Sequence, residues 1–436
     1  MKKSCRTSSP LKRLFFGSAI ASLATISGIV FNTNFPVQAV LETSPKEVVD
    51  EVWQIVNHEY VDQNFNQVDW QTVRQELLTR QYSSSDEAYR AIRQALKEIG
   101  DPYTRFLPPK DFERLTSQTS GELTGVGLRL EINSKTKALT VVEPLANSPA
   151  SEANLQPGDE ILAIDEKPTT LMSVEQASEL IKGEIGTEVT LKVRRSEQEE
   201  FTITLSRAQI ELPAVAYTLR DEGQMKVGYI QLQEFSSHAA EQMQAAIESL
   251  NEEKAEGFVL DLRGNPGGLL FASVDIARMW MESGAIVNTV DRKGGDRKFF
   301  ANHTALTNLP LVVLVDDYSA SASEILAGAL KDNGRATVVG TNTYGKGTVQ
   351  SVHSLSDGSG LAVTISRYYP PSGIDINQKG IAPDIHLTLT QAQKLRLQAN
   401  PELIGTEYDP QYAQAVSVLR TSGIGQVELP EAVGIR

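Results

Sequence analysis

Apolar positions recur at helical spacing from residue 48 onward, and the rhythm then changes twice. Val48, Val49, Val52, Ile55 and Val56 fall on one face, and Val73, Leu77 and Leu78 follow suit. Ala88, Ile92, Ala95, Leu96 and Ile99 form a third set, closed by Gly100. A period near 3.6 predicts three amphipathic helices. The breaker-rich Asp101-Pro-Tyr-Thr-Arg-Phe-Leu-Pro-Pro109 then reads as an exit loop. Residues 40–120 are thus expected to form a small helical domain serving packing and docking rather than chemistry. From residue 121 to 209 the pattern shortens to strands at 138–142, 160–164, 189–193 and 201–205, with one helix at 174–181 and a tight turn at Gln156-Pro-Gly-Asp159. Beyond Met225, apolar runs at 227–232, 258–262, 286–290 and 311–315 alternate with helical segments at 238–250, 272–280 and 324–330. Such alternation implies an α/β domain, placed at 210–390, with a polar helical segment at 391–436 behind it. The expected fold class is multidomain α+β.

The 436 residues exceed one ordinary core, which agrees with several domains. Net charge is −14, and residues 1–39 hold five Lys/Arg and no acid, so the remainder carries 36 basic against 55 acidic residues. That balance lacks the basic footprint of a nucleic-acid binder. The start has the layout of an export signal: Lys2, Lys3, Arg6, Lys12 and Arg13, a mostly apolar stretch from Leu14 to Phe31, then Val37-Gln-Ala39. Cleavage after Ala39 would remove Cys5, the single cysteine, leaving no disulfide and no thiol nucleophile. Membrane association is expected to be peripheral at most.

Candidate chemistry sits between the 311–315 strand and the helix that follows. Ser319-Ala-Ser-Ala-Ser-Glu324 occupies a strand-to-helix turn, where free backbone N–H groups and the helix dipole favour developing negative charge. A serine hydroxyl is a poor nucleophile without a base beside it. None of the five histidines lies in a recognisable catalytic context, and Gly-x-Ser-x-Gly is absent. Lysine can serve instead if burial lowers its pKa, and Lys346 lies between Gly345 and Gly347 in an apolar, glycine-punctuated stretch. Asp261-Leu-Arg-Gly-Asn-Pro-Gly-Gly268 supplies a glycine-rich turn that lets backbone donors approach a ligand. It lacks the features of a P-loop or a dinucleotide fingerprint, and no metal-ligand spacing occurs. By residue type, Ser319, Ser321 and Ser323 are equal rivals for nucleophile.

Gly125-Val-Gly-Leu128, Ser148-Pro-Ala150 and Leu155-Gln-Pro-Gly-Asp-Glu-Ile-Leu162 together resemble a PDZ domain in a circularly permuted bacterial arrangement. The resemblance implies that Gly125, Val126, Gly127 and Leu128 form a loop that captures a peptide's terminal carboxylate. From about Val48 to Leu387 the chain resembles the carboxyl-terminal processing peptidases, tail-specific serine proteases with a Ser-Lys dyad, among them members that trim the photosystem II D1 precursor. That likeness implies a core of crotonase/ClpP-like fold with Ser321 as nucleophile and Lys346, 25 residues on, as general base. It further implies Gln350 as the residue orienting the lysine, and the N–H groups of Gly267 and Ala322 as oxyanion donors. Asp332 matches an aspartate important in some members, although its surroundings suggest a structural role, pairing with Arg335 or capping a turn. No metal or cofactor is implied. Expected partners are protein or peptide substrates with a free C-terminus, the D1 precursor being a candidate, in a thylakoid lumen or periplasm. Two alternatives stand beside this: a tail-specific quality-control protease, and a non-catalytic PDZ protein that holds carboxyl termini. An acyl-CoA enzyme is disfavoured by the export signal and the PDZ.

Overall fold

A computed structural model describes residues 44–424 apart from 197, 198 and 224, so the segment expected to be an export signal and the last twelve residues lie outside it. Helices α1 (Pro45–Glu59), α2 (Trp70–Thr79) and α3 (Ser85–Glu98) match the three apolar sets. Ser84 caps α3 by accepting the Glu87 N–H, and the positive φ of Gly100 (75°) ends it. The exit loop carries a short strand, β1 (Arg105–Leu107), and leads into α4 (Pro109–Ser120).

Strand β2 (Glu122–Gly125) then leads into a meander whose sheet has six strands, β6 pairing with β5: β3 (Leu128–Ile132), β4 (Leu139–Pro144), α5 (Pro149–Glu152), β5 (Glu160–Ile164), β6 (Lys167–Pro168), α6 (Val174–Ile181), β7 (Glu188–Ser196) and β8 (Glu199–Ser206), with β9 (Ala208–Glu211) behind it. The sheet runs β3-β4-β5-β7-β8, so β3 is an edge, and β2 pairs with β9 as a two-stranded stem into and out of the unit. Val126, Leu139, Val141, Ile161, Val189 and Leu191 close a core of their own beneath α6. Alternating burial along β7 is the period of two that the strand pattern predicts.

The remaining elements are β10 (Val215–Asp221), β11 (Lys226–Leu232), α7 (Ala239–Glu252), β12 (Gly257–Asp261), α8 (Leu270–Trp280), β13 (Ala285–Asp291), β14 (Asp296–Phe300), β15 (Leu311–Val315), α9 (Ala322–Asp332), β16 (Thr337–Gly340), β17 (Thr348–Ser354), β18 (Gly360–Tyr369), β19 (Ile385–His386), α10 (Gln391–Ala399) and α11 (Pro410–Ile424). Strands β11, β12, β15, β16 and β19 pair in parallel in the order β10-β11-β12-β15-β16-β19. The apolar runs of β12 and β15, buried at every position, follow from burial on both faces. Helices α7, α8 and α9 fill one large core, while Tyr412, Ala415, Val416 and Leu419 of α11 cover Val259, Val312, Leu314 and Val339. The C-terminal segment, polar by composition, is therefore a layer of the core. A second sheet joins β17, β18, β13 and β14, and β1 adds to it by pairing with β18, Arg105 opposite Ala362. The N-terminal helices share their apolar core with Leu361 and Val363 of this sheet and with Leu355 in the turn between β17 and β18, so they are not a free-standing domain. Among the described residues, no helix is long and apolar enough to cross a membrane.

Candidate active site

Parallel neighbours β12 and β15 end side by side, so the turns after them meet at the same sheet edge, as ligand-binding loops of open α/β sheets do. The serine turn is stitched to the glycine-rich turn. Ser319 Oγ donates to the Leu262 carbonyl (2.8 Å), Ser323 Oγ to the Asn265 carbonyl (3.0 Å), and the Ala320 N–H to that same Asn265 carbonyl (3.0 Å). Both flanking serines are fully buried and committed as donors, which removes them as rivals. Ser321 alone stands apart, half-buried at φ 54° and ψ −111°, immediately before α9. A non-glycine residue there is strained, a state that persists only where the surroundings impose it. Gly267, at φ 102°, abuts it: a Cβ on Gly267 would lie 2.8 Å from Ser321 Cβ and 2.9 Å from the Ala322 nitrogen. Only glycine permits that approach. The Gly267 N–H donates to Asn265 Oδ1 (2.8 Å), whereas the Ala322 N–H opens the helix.

Lys346 is brought to this turn by Glu324, a residue with no exposed surface. One carboxylate oxygen, Oε2, accepts the N–H of Ser321 (2.8 Å) and the N–H of Lys346 (2.9 Å). The other, Oε1, accepts the Gly345 N–H (2.7 Å) and the Thr343 hydroxyl (2.6 Å). Burial pushes the Glu324 pKa up and the four donors pull it down, and with four donors and no acceptor facing it, the carboxylate is the form that fits. Tyr368 clamps the opposite polarity, its hydroxyl within reach of the carbonyls of Ser321 (3.1 Å) and Lys346. The two backbones are thus fastened at both N–H and C=O.

Burial lowers the Lys346 pKa from 10.5 to about 8; Arg105 adds to the fall, and Asp101 and Glu324 oppose it. An amine at that value is substantially neutral in mildly basic solution and able to accept a proton. Its Nζ lies 5.1 Å from the centre of the Tyr103 ring. The histidine rings are engaged elsewhere, His353 with Glu59, His238 with Glu122, His303 with Glu282 and His386 with Thr388, while His58 is exposed on α1. No cluster of three or more metal-ligating side chains occurs among the described residues.

Other expected site residues are placed less directly. Gln350 lies on β17 with its amide bonded to Thr348 Oγ1 (2.9 Å) and Thr364 Oγ1 (3.3 Å). Asp332 is exposed at the far end of α9, roughly 16 Å from Ser321 by helical rise, and accepts the Ser372 N–H. It does not pair with Arg335, whose guanidinium donates instead to the carbonyls of Trp280, Thr307 and Leu309. In the meander, Gly125 ends β2, Val126 is buried and Leu128 opens β3. Gly127 has φ 78°, and a Cβ on it would fall 2.2 Å from Ser148 Cβ, which explains the glycine.

Tyr103, Thr343 and Tyr368 have no role in the sequence reading, and Glu324 appears there only as the end of the serine motif. Ser321-x-x-Glu324 has capping-box spacing, which is the signal that could have found the Glu324 bond to the Ser321 N–H. The tyrosines arrive through the pairing of β1 with β18, which leaves no local signature.

Residues 226–387 match the model of peptidase family S41, and residues 140–195 match a PDZ domain. The chain is 44% identical over 371 residues to the carboxyl-terminal-processing protease of Synechocystis sp., covering 84% of this chain and 86% of that protein. It is 37% identical over 369 residues to the chloroplastic carboxyl-terminal-processing peptidase 3 of Arabidopsis thaliana, 81% of this chain and 71% of the relative. Among solved structures it resembles a photosystem II D1 C-terminal processing protease, with 34% identity, a TM-score of 0.53, and coverage of 85% of this chain and all of the other.

Proposed function

The chain belongs to peptidase family S41, among relatives of the carboxyl-terminal-processing proteases, and from that premise we propose that it is an exported endopeptidase cutting C-terminal segments from proteins by acyl-enzyme chemistry. Ser321 Oγ attacks the scissile carbonyl carbon and its proton passes to Lys346 Nζ. The oxyanion is held by the Ala322 N–H and by the Gly267 N–H once it turns from Asn265 Oδ1. Lys346 then protonates the departing amine as the C–N bond breaks, and water attacks the ester to release the acid and restore Ser321. Gln350 orients the lysine during the cycle. Asp332 has no chemical part, its carboxylate holding the Ser372 N–H.

The observation that carries this reading is the single Glu324 oxygen shared by the Ser321 and Lys346 N–H groups, since a binding scaffold has no use for a clamp joining these two residues. Substrate enters through the PDZ unit: Gly125, Val126, Gly127 and Leu128 hold the free carboxylate, and the adjoining segment adds as a strand beside β3, whose outer edge has no partner strand among the described residues. The D1 precursor is the substrate suggested by the relatives, in a thylakoid lumen or periplasm.

Cleavage of a free-carboxyl peptide and its amidated twin by wild type, Ser321→Ala and Lys346→Ala tests the proposal. Selective cutting of the free-carboxyl peptide, with both folded variants inert, is the expected result. Binding without cutting by wild type would make it a carboxyl-terminus binding protein. For the D1 assignment, a strain lacking this chain should accumulate a heavier D1, and unchanged D1 mass refutes it.

A further inference from the structure

The segment that reads as a mere exit from the N-terminal helices delivers an aromatic ring to the lysine. Asp101 shapes it, one carboxylate oxygen accepting the Tyr103 N–H (3.0 Å) and the other the Thr104 hydroxyl (2.7 Å). Thr104 Oγ1 in turn accepts the Thr364 N–H of β18 (3.1 Å), and β1 continues the pairing from Arg105 to Leu107. Tyr103 is therefore held from both sides, by its own turn and by the strand that carries Tyr368. Its hydroxyl meets that of Tyr344, two residues before the lysine; burial and this contact push the Tyr103 pKa up to about 12. Its ring keeps the 5.1 Å approach to Lys346 Nζ.

We propose that Tyr103 is a positioning residue for the reaction, its ring capping the Lys346 amine and shutting water away from it. The inference rests on the reading of Lys346 as the base. A ring in this place acts in two opposed ways. Its π face favours the ammonium form, whereas its bulk excludes water and disfavours that form. The charged and titratable groups around the amine are Arg105 and Asp101 from the same segment, Glu324 from α9, and Tyr344 and Tyr368, and each of them is kept in every variant.

The test is the acid limb of the kcat/KM against pH profile for three variants, with Lys346→Ala run beside them. Tyr103→Phe keeps the ring and should hold the wild-type midpoint. Tyr103→Leu keeps bulk without the π face, so the midpoint should fall by about half to one pH unit. Tyr103→Ala admits water, and the midpoint should rise by about one unit or more towards that of free lysine. Identical midpoints in Phe, Leu and wild type, even with uniformly lower activity, overturn the inference and leave Tyr103 a packing residue. Should the alanine variant fail to fold, the Phe and Leu pair still decides. If Lys346→Ala cleaves at the wild-type rate, the base reading itself fails, and the inference with it.

Discussion

Replacing Lys346 with methionine should make the protein inactive and, at neutral pH, more stable. The fall in the lysine pKa from 10.5 to about 8 corresponds to roughly 3 kcal/mol held against the ammonium form in the folded state. Below pH 8 the folded protein carries that buried charge and the unfolded chain does not suffer from it. Methionine keeps the length and apolar stem, adds no charge, and retains a favourable sulfur contact with the Tyr103 ring. We therefore expect a gain of about 1–3 kcal/mol at pH 7. The sign with pH follows from proton counting. Between about 8 and 10.5 the folded lysine is neutral while the unfolded one is still protonated, so wild-type stability rises relative to the variant by about 1.4 kcal/mol per pH unit. The advantage of methionine should accordingly vanish by pH 10.5. Urea denaturation of both proteins at pH 7, 8.5 and 10 measures the difference while other ionisations cancel. The acid limb of wild-type kcat/KM should share its midpoint near 8, because one amine governs both. A stability difference independent of pH would refute the depressed lysine.

Glu324→Gln leaves one acceptor oxygen for four donors and turns an amide N–H towards two of them, so two buried bonds are lost. At about 1.5–3 kcal/mol each, the cost is roughly 3–6 kcal/mol, read as a lower urea midpoint together with lost cleavage; near-wild-type values of both contradict the clamp. Gly267→Ala sets a Cβ 2.6 Å from the Ala320 carbonyl and displaces Ser321, so kcat should fall about 100-fold, and an unchanged kcat removes Gly267 from the site. Arg263 lies between Asp261 (2.5 Å) and Asp409 (2.7 Å), and Asp409→Ala breaks that buried group at a cost of about 3–5 kcal/mol, measured by urea melting; a loss below about 1 kcal/mol would show the group to be dispensable.

What could be read from the chain depended on whether the information was local. The helices around Val52 and Ile92 announce themselves by burying residues at the helical period, and the strands at Val259 and Val313 by short runs buried at every position. The turn between β15 and α9 was legible for the same reason. The choice among three serines was not, because it depends on Leu262 and Asn265 accepting from Ser319 and Ser323, bonds made across 57 and 58 residues. The helical start looked like a separate domain since nothing near Phe106 foretells that it packs with Leu361 and Val363. The apolar side of α11 was read as polar because its buried face is built of Tyr412, Ala415, Val416 and Leu419 amid many polar neighbours.

The brace around Arg263 and the pairing of Thr104 with Thr364 bear on the order of events as the chain is made. Arg263 meets Asp409 only 146 residues later, and Thr104 meets Thr364 across 260. At about 5–20 residues per second, a growing chain spends many seconds with the serine turn already synthesised and its supports still to come. Long-range pairing of this kind forms late. A copy grown just past Gln350 thus holds the serine, the lysine and the glycine-rich turn without the later partners that aim them, and the site is completed only as synthesis nears its end.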